Sequence, residues 1–161
     1  MKPAAAQLCL RPYEEGDLQA VVSLFYDTIH SVNLEDYTPE QADAWAPKEP
    51  DSSRWRNLLT GEDTWVAVQD GRIVGFANRN GDYFDCLYVG KGYQRRGVAK
   101  ALAERIEGRA AAEGYTRIRT DASLTARPFF ERRGYIVVRR QRVYRAGQIL
   151  VNFAMERSIQ K

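Results

Sequence analysis

The chain has 161 residues, of which 44% are hydrophobic and 28% charged, with a formal net charge of +3. That is the length and composition of one soluble domain, able to bury a core without metal or disulfide support. A membrane span is excluded because no apolar run approaches the ~20 residues it needs, and a zinc cluster by the presence of a single histidine, His30, and two cysteines, Cys9 and Cys86.

The elements follow in order. Residues 1–7 read as a flexible tail. The start, MKPAAAQLCL, lacks the apolar stretch of a secretory signal, and the two cysteines fit buried thiols in a reducing cytoplasm. LCLRPYE reads as a strand. Asp17 is placed to cap a helix running to about His30, whose apolar face is Leu18, Val21, Val22, Leu24, Phe25 and Ile29. After a loop at NLEDY, Thr38, Pro39 and Gln41 form a capping box with proline at the first helical position. That helix ends near Pro47, and SSRWRNLLTG suits another short helix. TWVAVQ and RIVGFANR are strands joined by Asp70–Gly71, a two-residue hairpin turn. Asn80–Asp82 turns the chain into a third strand, YFDCLYV. From Gly97 the apolar residues take helical spacing, and Gly114 ends the run. YTRIRTDA is a strand, LTARPFFERRG a helix, and YIVVRRQRVYR with QILVNFAMER a closing hairpin. This order describes a single α+β sheet domain over residues 8–161.

Between the third strand and the long helix lies GKGYQRRGVAKAL. A helix that starts directly after a strand presents amides with no partner inside the helix, at the positive end of its dipole. Glycine admits an anion close to the backbone, so QRRGVA is built to seat phosphate, with Arg95 and Arg96 adding charged donors at the sides. It is neither a Walker loop nor a dinucleotide fingerprint, because the Gly-Lys-Ser/Thr run and the glycine spacing are both missing. A glycine before a helix also serves packing alone. The arginines from Arg132 to Arg145 alternate as on a solvated strand face; a nucleic-acid-binding module is the rival reading, without an RNA-binding aromatic motif to support it.

Leu87-Tyr88-Val89 followed by Gln94-Arg95-Arg96-Gly97-Val98-Ala99 resembles the central signature of the GNAT superfamily of acyl-CoA-dependent N-acetyltransferases. A second motif, Ser123 to Tyr135 with Ala126, Phe129-Phe130 and Gly134-Tyr135, resembles the family's later helix. LRPYEEGD near the start, HSVNLEDYTPEQADAWAP after the first helix and VNFAMER near the end are together most similar to the YafP-like bacterial branch. The resemblance covers residues 8 to 157. It implies a mostly antiparallel mixed sheet of six or seven strands, with helices on both faces. It also implies two splayed strands that form an acyl-CoA cleft, and acetyl-CoA as cosubstrate.

By the same resemblance, Leu87, Tyr88, Val89, Gln94, Arg95, Arg96, Gly97, Val98, Ala99, Lys100, Ser123, Phe129 and Phe130 line the coenzyme A site. The Val89 amide acts as oxyanion donor. Ser123 stands where the family often has asparagine. Phe130 replaces the tyrosine that protonates the leaving thiolate in many members, and restoring it by Phe130→Tyr is expected to be tolerated. Simple strand alternation puts Asp85 on the face of Leu87 and Val89, where it either relays the amine proton through a water or pairs with an arginine. His30 either serves the substrate side or is stabilised at a helix C-terminus. His30, Asn33, Tyr37, Trp45 and Tyr83 are the candidate acceptor-pocket residues. The expected reaction is acetyl transfer to an amine of a small molecule or peptide, against a non-catalytic acyl-CoA sensor as alternative. The closing hairpin can pair across a homodimer, while its arginines argue equally for solvent.

Overall fold

A computed structural model describes residues 7–159, so the tail expected over 1–7 lies, apart from Gln7, outside the described residues. Seven strands make one sheet: β1 (Cys9–Pro12), β2 (Asp63–Gln69), β3 (Arg72–Asn80), β4 (Tyr83–Val89), β5 (Arg117–Ser123), β6 (Ile136–Arg145) and β7 (Gln148–Ser158). Their order across the sheet is β1-β2-β3-β4-β5-β7-β6. All neighbours are antiparallel except β4 and β5, which matches the mixed sheet implied by the motifs.

The helices are α1 (Leu18–Ile29), α2 (Pro39–Trp45), α3 (Ser52–Gly61), α4 (Val98–Ala112) and α5 (Arg127–Arg132). They cover both faces. On one, Val21, Phe25 and Ile29 of α1, Ala42 of α2 and Leu59 of α3 pack on Val66 and Phe76. On the other, Val98, Leu102 and Ile106 of α4 and Phe130 of α5 pack on Val74, Phe84, Ile118 and Met155. The four-residue spacing of Val98, Leu102 and Ile106 places them in one stripe, which is why α4 lies flat on the sheet.

Local chemistry sets the boundaries. Asp70 and Gly71 both take positive φ, 55° and 72°, as the two-residue hairpin turn requires. Thr38 Oγ1 accepts from the Gln41 amide at 3.1 Å, and Gln41 Oε1 accepts from the Thr38 amide at 2.9 Å, closing the expected box. Asp17 departs from expectation. Its side chain does not cap α1, because Arg11 holds the carboxylate with two bonds of 2.7 and 2.9 Å. The α5 helix is shorter than expected, since Ser123 Oγ accepts from the Ala126 amide at 3.0 Å and keeps residues 124–126 in a turn.

Candidate active site

The parallel pair β4–β5 is joined at only two positions, Tyr83↔Arg119 and Phe84↔Thr120, where Thr120 Oγ1 also donates to the Phe84 carbonyl at 2.8 Å. Both strands continue, β4 to Val89 and β5 to Ser123, but apart. The result is a V-shaped gap with its apex at Phe84. Gly90 donates its amide to the Val74 carbonyl at 2.9 Å, toward β3. Backbone donors alternate along a strand, so the amides of Val89 and Leu87 turn the other way, into the gap. Five residues of β4, Asp85 to Val89, run from the apex to the open end of the strand, or ~16 Å at ~3.3 Å per residue, within reach of an extended pantetheine arm.

At the wide end of the gap stands α4. Ala101 is the first amide to bond back into the helix mouth, to the Gly97 carbonyl at 3.0 Å, which leaves Val98, Ala99 and Lys100 as free helix-start donors. Arg95 and Gly97 both adopt positive φ, 59° and 83°. The Gln94 side-chain amide donates to the Val89 carbonyl and fixes the loop to the strand. Arg95, Arg96 and Lys100 are exposed; the Arg96 guanidinium lies over the Tyr93 ring, 5.3 Å from its centre. Among the described residues, neither Arg95 nor Arg96 has a carboxylate partner. The helix mouth is held close to the sheet at Gly75, where a Cβ would fall 3.0 Å from the Tyr88 carbonyl oxygen and 3.1 Å from both Val98 and Leu102. Unbonded amides, free cations and an open strand gap in line together fit a diphosphate followed by a thioester arm.

The gap's apex corrects one expectation. The β3–β4 register pairs Asn78 with Cys86 and Arg79 with Phe84, so Asp85 is an extra, unpaired residue in a β-bulge. The Cys86 amide donates to the Asn78 side chain at 2.9 Å. The bulge breaks simple alternation: Phe84, Leu87 and Val89 pack toward α4, whereas Cys86 and Tyr88 pack toward α1. Asp85 therefore does not share the face of Leu87 and Val89. Its carboxyl meets that of Glu62, the residue that ends α3. Burial, then the Asp85 hydrogen bond and charge, push the Glu62 carboxyl up to about 8. Glu62 is not among the candidate residues read from the sequence. Burial also raises the Cys86 thiol and the Tyr88 phenol, although both side chains keep some solvent access, as in the wall of a crevice.

The candidate acceptor residues divide. Trp45 approaches Tyr88 at 6.4 Å and Tyr37 at 5.3 Å between ring centres, and Phe25 adds an edge-on contact to Tyr88 at 5.0 Å. These rings form one aromatic wall on the α1 side of β4. Tyr37 belongs to it but its hydroxyl is already used: it donates to the Val151 carbonyl at 2.7 Å and accepts from the Leu124 amide at 2.9 Å. That ties the loop after α1 to β7 and to the end of β5. Asn33 is buried at the start of this loop, its carbonyl accepting from the amides of Asp36 and Tyr37. His30 stacks on Tyr26 at 4.2 Å, and its Nε2 hydrogen-bonds the Ala46 carbonyl at 2.8 Å. A carbonyl only accepts, so Nε2 carries the proton, and Nδ1 lies 3.8 Å from Asp43. Both nitrogens face α2, so the ring fastens one helix end to another. Tyr83 donates to Asp121 at 2.8 Å across the closed end of the gap.

On the β5 side, Ser123 is the turn acceptor described above and Phe129 is half-buried. Phe130 is 3% exposed and packed edge-on against Phe84, Phe129 and Tyr135. No hydroxyl stands at its position. Of the C-terminal arginines, Arg133 and Arg157 are held by buried Glu107 and do not form part of a free basic track.

Residues 33–157 match the model of the acetyltransferase (GNAT) domain. The chain belongs to the GNAT acetyltransferase family. It is 38% identical to the N-acetyltransferase YafP of Escherichia coli K12 over 146 residues, 91% of this chain and 93% of that one. A GCN5-related N-acetyltransferase from Rhodopseudomonas palustris superposes with a TM-score of 0.92 at 33% identity, covering 99% of this chain and 100% of that structure. The PaiA N-acetyltransferase of Thermoplasma acidophilum, solved with coenzyme A, shares the fold at TM-score 0.77 and 15% identity, over 94% and 99% of the two chains. The protein is thus an acetyl-CoA-dependent acetyltransferase. Among the described residues no helix is long and apolar enough to cross a membrane.

Proposed function

We propose that this protein transfers an acetyl group from acetyl-CoA directly to a primary amine of a small molecule or peptide. The observation that carries this reading is the β4–β5 gap, which opens at Asp85 and leads straight to the unbonded amides of α4. Acetyl-CoA supplies a thioester carbonyl open to attack and a thiol leaving group. The amides from Gln94 to Ala99, with Arg95, Arg96 and Lys100, hold its diphosphate. Leu87, Tyr88, Ser123, Phe129 and Phe130 border the arm. The amides of Val89 and Leu87 stand as donors to the carbonyl oxygen, a role worth ~3 kcal/mol per donor in water-excluded sites. Holding both reactants in line supplies the rest of the expected acceleration.

The acceptor enters from the α1 side. Trp45, Tyr88 and Phe25 offer apolar ring surface there, next to the Glu62 and Asp85 carboxyls. That combination suits an amine with an apolar portion. Phe130 leaves the departing thiolate without a tyrosine acid; a thiol with a pKa near ~8.5 departs without one. We place the enzyme in the cytoplasm, in keeping with its free thiols Cys9 and Cys86, and we take the open edge of β6, with exposed Ile136, Val138 and Tyr144, as the surface for a homodimer.

The test is thiol release from acetyl-CoA against a panel of aryl-alkyl amines, polyamines, an aminoglycoside and a peptide with a free N-terminus, with mass spectrometry of each product. An N-acetylated amine formed in step with free CoA is expected. Tight acetyl-CoA binding with no acceleration by any amine would contradict the enzymatic amine reading and favour a sensor.

A further inference from the structure

The β6–β7 hairpin reaches past the rest of the sheet beside the aromatic wall. Pairing of β5 with β7 ends at Ser123↔Asn152. The residues from Val151 back to Gln148 run on beyond it, paired only with β6, over ~13 Å of strand. Two side chains hold this overhang: Tyr37 donates to the Val151 carbonyl at 2.7 Å, and Gln41 of α2 to the Ile149 carbonyl at 2.8 Å. Tyr37 packs on Trp45, and Trp45 on Tyr88, so the hairpin tip is fastened to the wall. Ala146 and Gly147 make the tip, with φ of 46° and 82°, and Arg145 is the last residue of β6 before it.

The register fixes the side on which Arg145 lies. Phe153 and Met155 pack toward α4, so Asn152 faces the α1 side, and Gln141 joins it there by donating to Asn152 at 3.0 Å and to Asp121 at 2.8 Å. From Arg139 to Arg145 the pairing with β7 runs without a bulge, so Val143 and Arg145 follow Gln141 onto that side. The other arginines of β5 and β6 there are engaged: Arg117 pairs with Glu156 at 3.5 Å, Arg119 with Asp82 at 3.2 Å, and Arg139 donates to Gln141 at 3.0 Å. Among the described residues Arg145 has no carboxylate partner. Burial raises the Cys86 thiol and the Tyr88 phenol, and the Arg145 charge opposes that rise at both, which agrees with a guanidinium overhanging the α1 face of β4.

We infer that the acceptor is an amine carrying a carboxylate a few bonds away, as in an amino acid with an apolar or aromatic side chain, and that Arg145 binds that carboxylate. The inference rests on the amine reading given above and narrows it. A guanidinium offers five donors in a planar fork that matches a carboxylate. The charges of Asp85 and Glu62 reach Cys86 as well, and Asp121 lies beside Gln141, so one cation among these acids balances a single negative charge on the ligand and not the two of a phosphate. Tyr88 precedes Val89, whose amide turns into the gap, so a carboxylate seated over Tyr88 sits beside the reacting carbon and its amine is close to it. The rings of Trp45, Tyr88 and Phe25 take the apolar side chain.

The test uses three probes that share one ring and one amine: phenylalanine, phenylalaninamide and phenethylamine. Their kcat/KM values with acetyl-CoA are measured on wild type, Arg145→Gln, Arg145→Lys and Arg142→Gln, the last altering an exposed arginine on the other face of the same strand. The ratio of phenylalanine to phenethylamine is compared between proteins, which cancels differences in amine basicity. Arg145→Gln is expected to lower it about 10- to 100-fold, the span of one hydrogen bond to a charged group, through a higher KM for phenylalanine. Arg145→Lys should lower it less, and Arg142→Gln should leave it as in wild type. The ratio of phenylalaninamide to phenethylamine should stay the same in all four. A second readout needs no transfer: 3-phenylpropionate, which keeps ring and carboxylate without the amine, is titrated calorimetrically into the CoA complex and should bind Arg145→Gln at least about tenfold more weakly than wild type. A phenylalanine ratio unmoved in Arg145→Gln, or equal 3-phenylpropionate affinity in the two proteins, overturns the role of Arg145, while acetylation of phenethylamine keeps the amine reading standing. Wild type inert toward every amine overturns the amine reading and the acceptor assignment together, and the 3-phenylpropionate titration then shows whether the Arg145 seat falls with them.

Discussion

Gly75→Ala probes whether the seat of the helix mouth depends on close packing between α4 and β3. The added methyl would lie 3.0 Å from the backbone oxygen of Tyr88, which the β3–β4 ladder holds in place, and 3.1 Å from Val98 and Leu102. Both of those side chains are buried, at 1% and 0% exposure, so the yielding part is the first two turns of α4. Overpacking of this kind costs ~1–3 kcal/mol. At ~2–4 °C per kcal/mol for a domain this size, the melting temperature should fall by roughly 2–12 °C. Val98 opens α4, so its displacement also disturbs the amides beside it, and we expect coenzyme A to bind about tenfold more weakly, a loss of ~1.4 kcal/mol. Calorimetric melting and isothermal titration with coenzyme A measure the two effects on the same sample. Gly108→Ala is the control: it lies mid-α4 with nothing within 4 Å of the new Cβ, and it should stabilise by ~0.5–1 kcal/mol without touching CoA affinity. A Gly75→Ala protein that melts and binds as the parent does would refute the packing argument.

Other perturbations bear on separate parts of the account. Arg96→Glu combined with Gly97→Asp places two negative charges at the helix mouth and should weaken coenzyme A binding at least ~100-fold by titration calorimetry while circular dichroism is retained; unchanged affinity would count against the cradle. Tyr37→Phe leaves the Leu124 amide and the Val151 carbonyl without their shared hydroxyl and should cost ~2–3 kcal/mol in urea unfolding, a result contradicted by a loss below ~0.5 kcal/mol. Phe130→Tyr keeps the ring that packs on Phe84, Phe129 and Tyr135 and adds only a hydroxyl, so the fold should tolerate it with a loss under ~1 kcal/mol in urea unfolding; a loss above ~3 kcal/mol would show that the hydroxyl is buried without a partner. The Glu62 carboxyl, raised from 4.5 to about 8, holds its proton in the folded chain after the unfolded chain has lost it. Stability should therefore fall as pH climbs from ~4.5 to ~8 and level off above. The interval sets a ceiling of ~5 kcal/mol, and ~2 kcal/mol is expected for a group with some solvent access. Melting curves of Glu62→Gln should lack that fall, and parallel pH dependence in the two proteins would contradict it.

What the sequence made legible was local chemistry. The Thr38–Gln41 box, the Asp70–Gly71 turn and the phosphate-seating glycine before α4 each announce themselves within a few residues, because each depends on neighbours in the chain. The site's less visible parts depend on partners far away. Tyr37 bonds Leu124 and Val151, 87 and 114 residues distant, so its hydroxyl could not be seen to be used. Glu62 reads as an ordinary acid after a helix until the sheet brings it to Asp85. The bulge that turns Asp85 has no glycine or proline to mark it, and period-two reasoning therefore put the residue on the wrong face. Asp17 looked like a helix cap because nothing nearby in sequence shows that Arg11 reaches it first.

The most direct trial of the central claim is a crystal structure of the protein with acetyl-CoA. The diphosphate oxygens should lie within hydrogen-bond distance, ~3 Å, of the amides between Gln94 and Ala99, with the thioester oxygen in the β4–β5 gap against the Leu87 or Val89 amide. Coenzyme density elsewhere, such as the polar hollow lined by Glu107, Arg132, Arg133 and Arg157, with the gap closed between Asp85 and Val89, would contradict it.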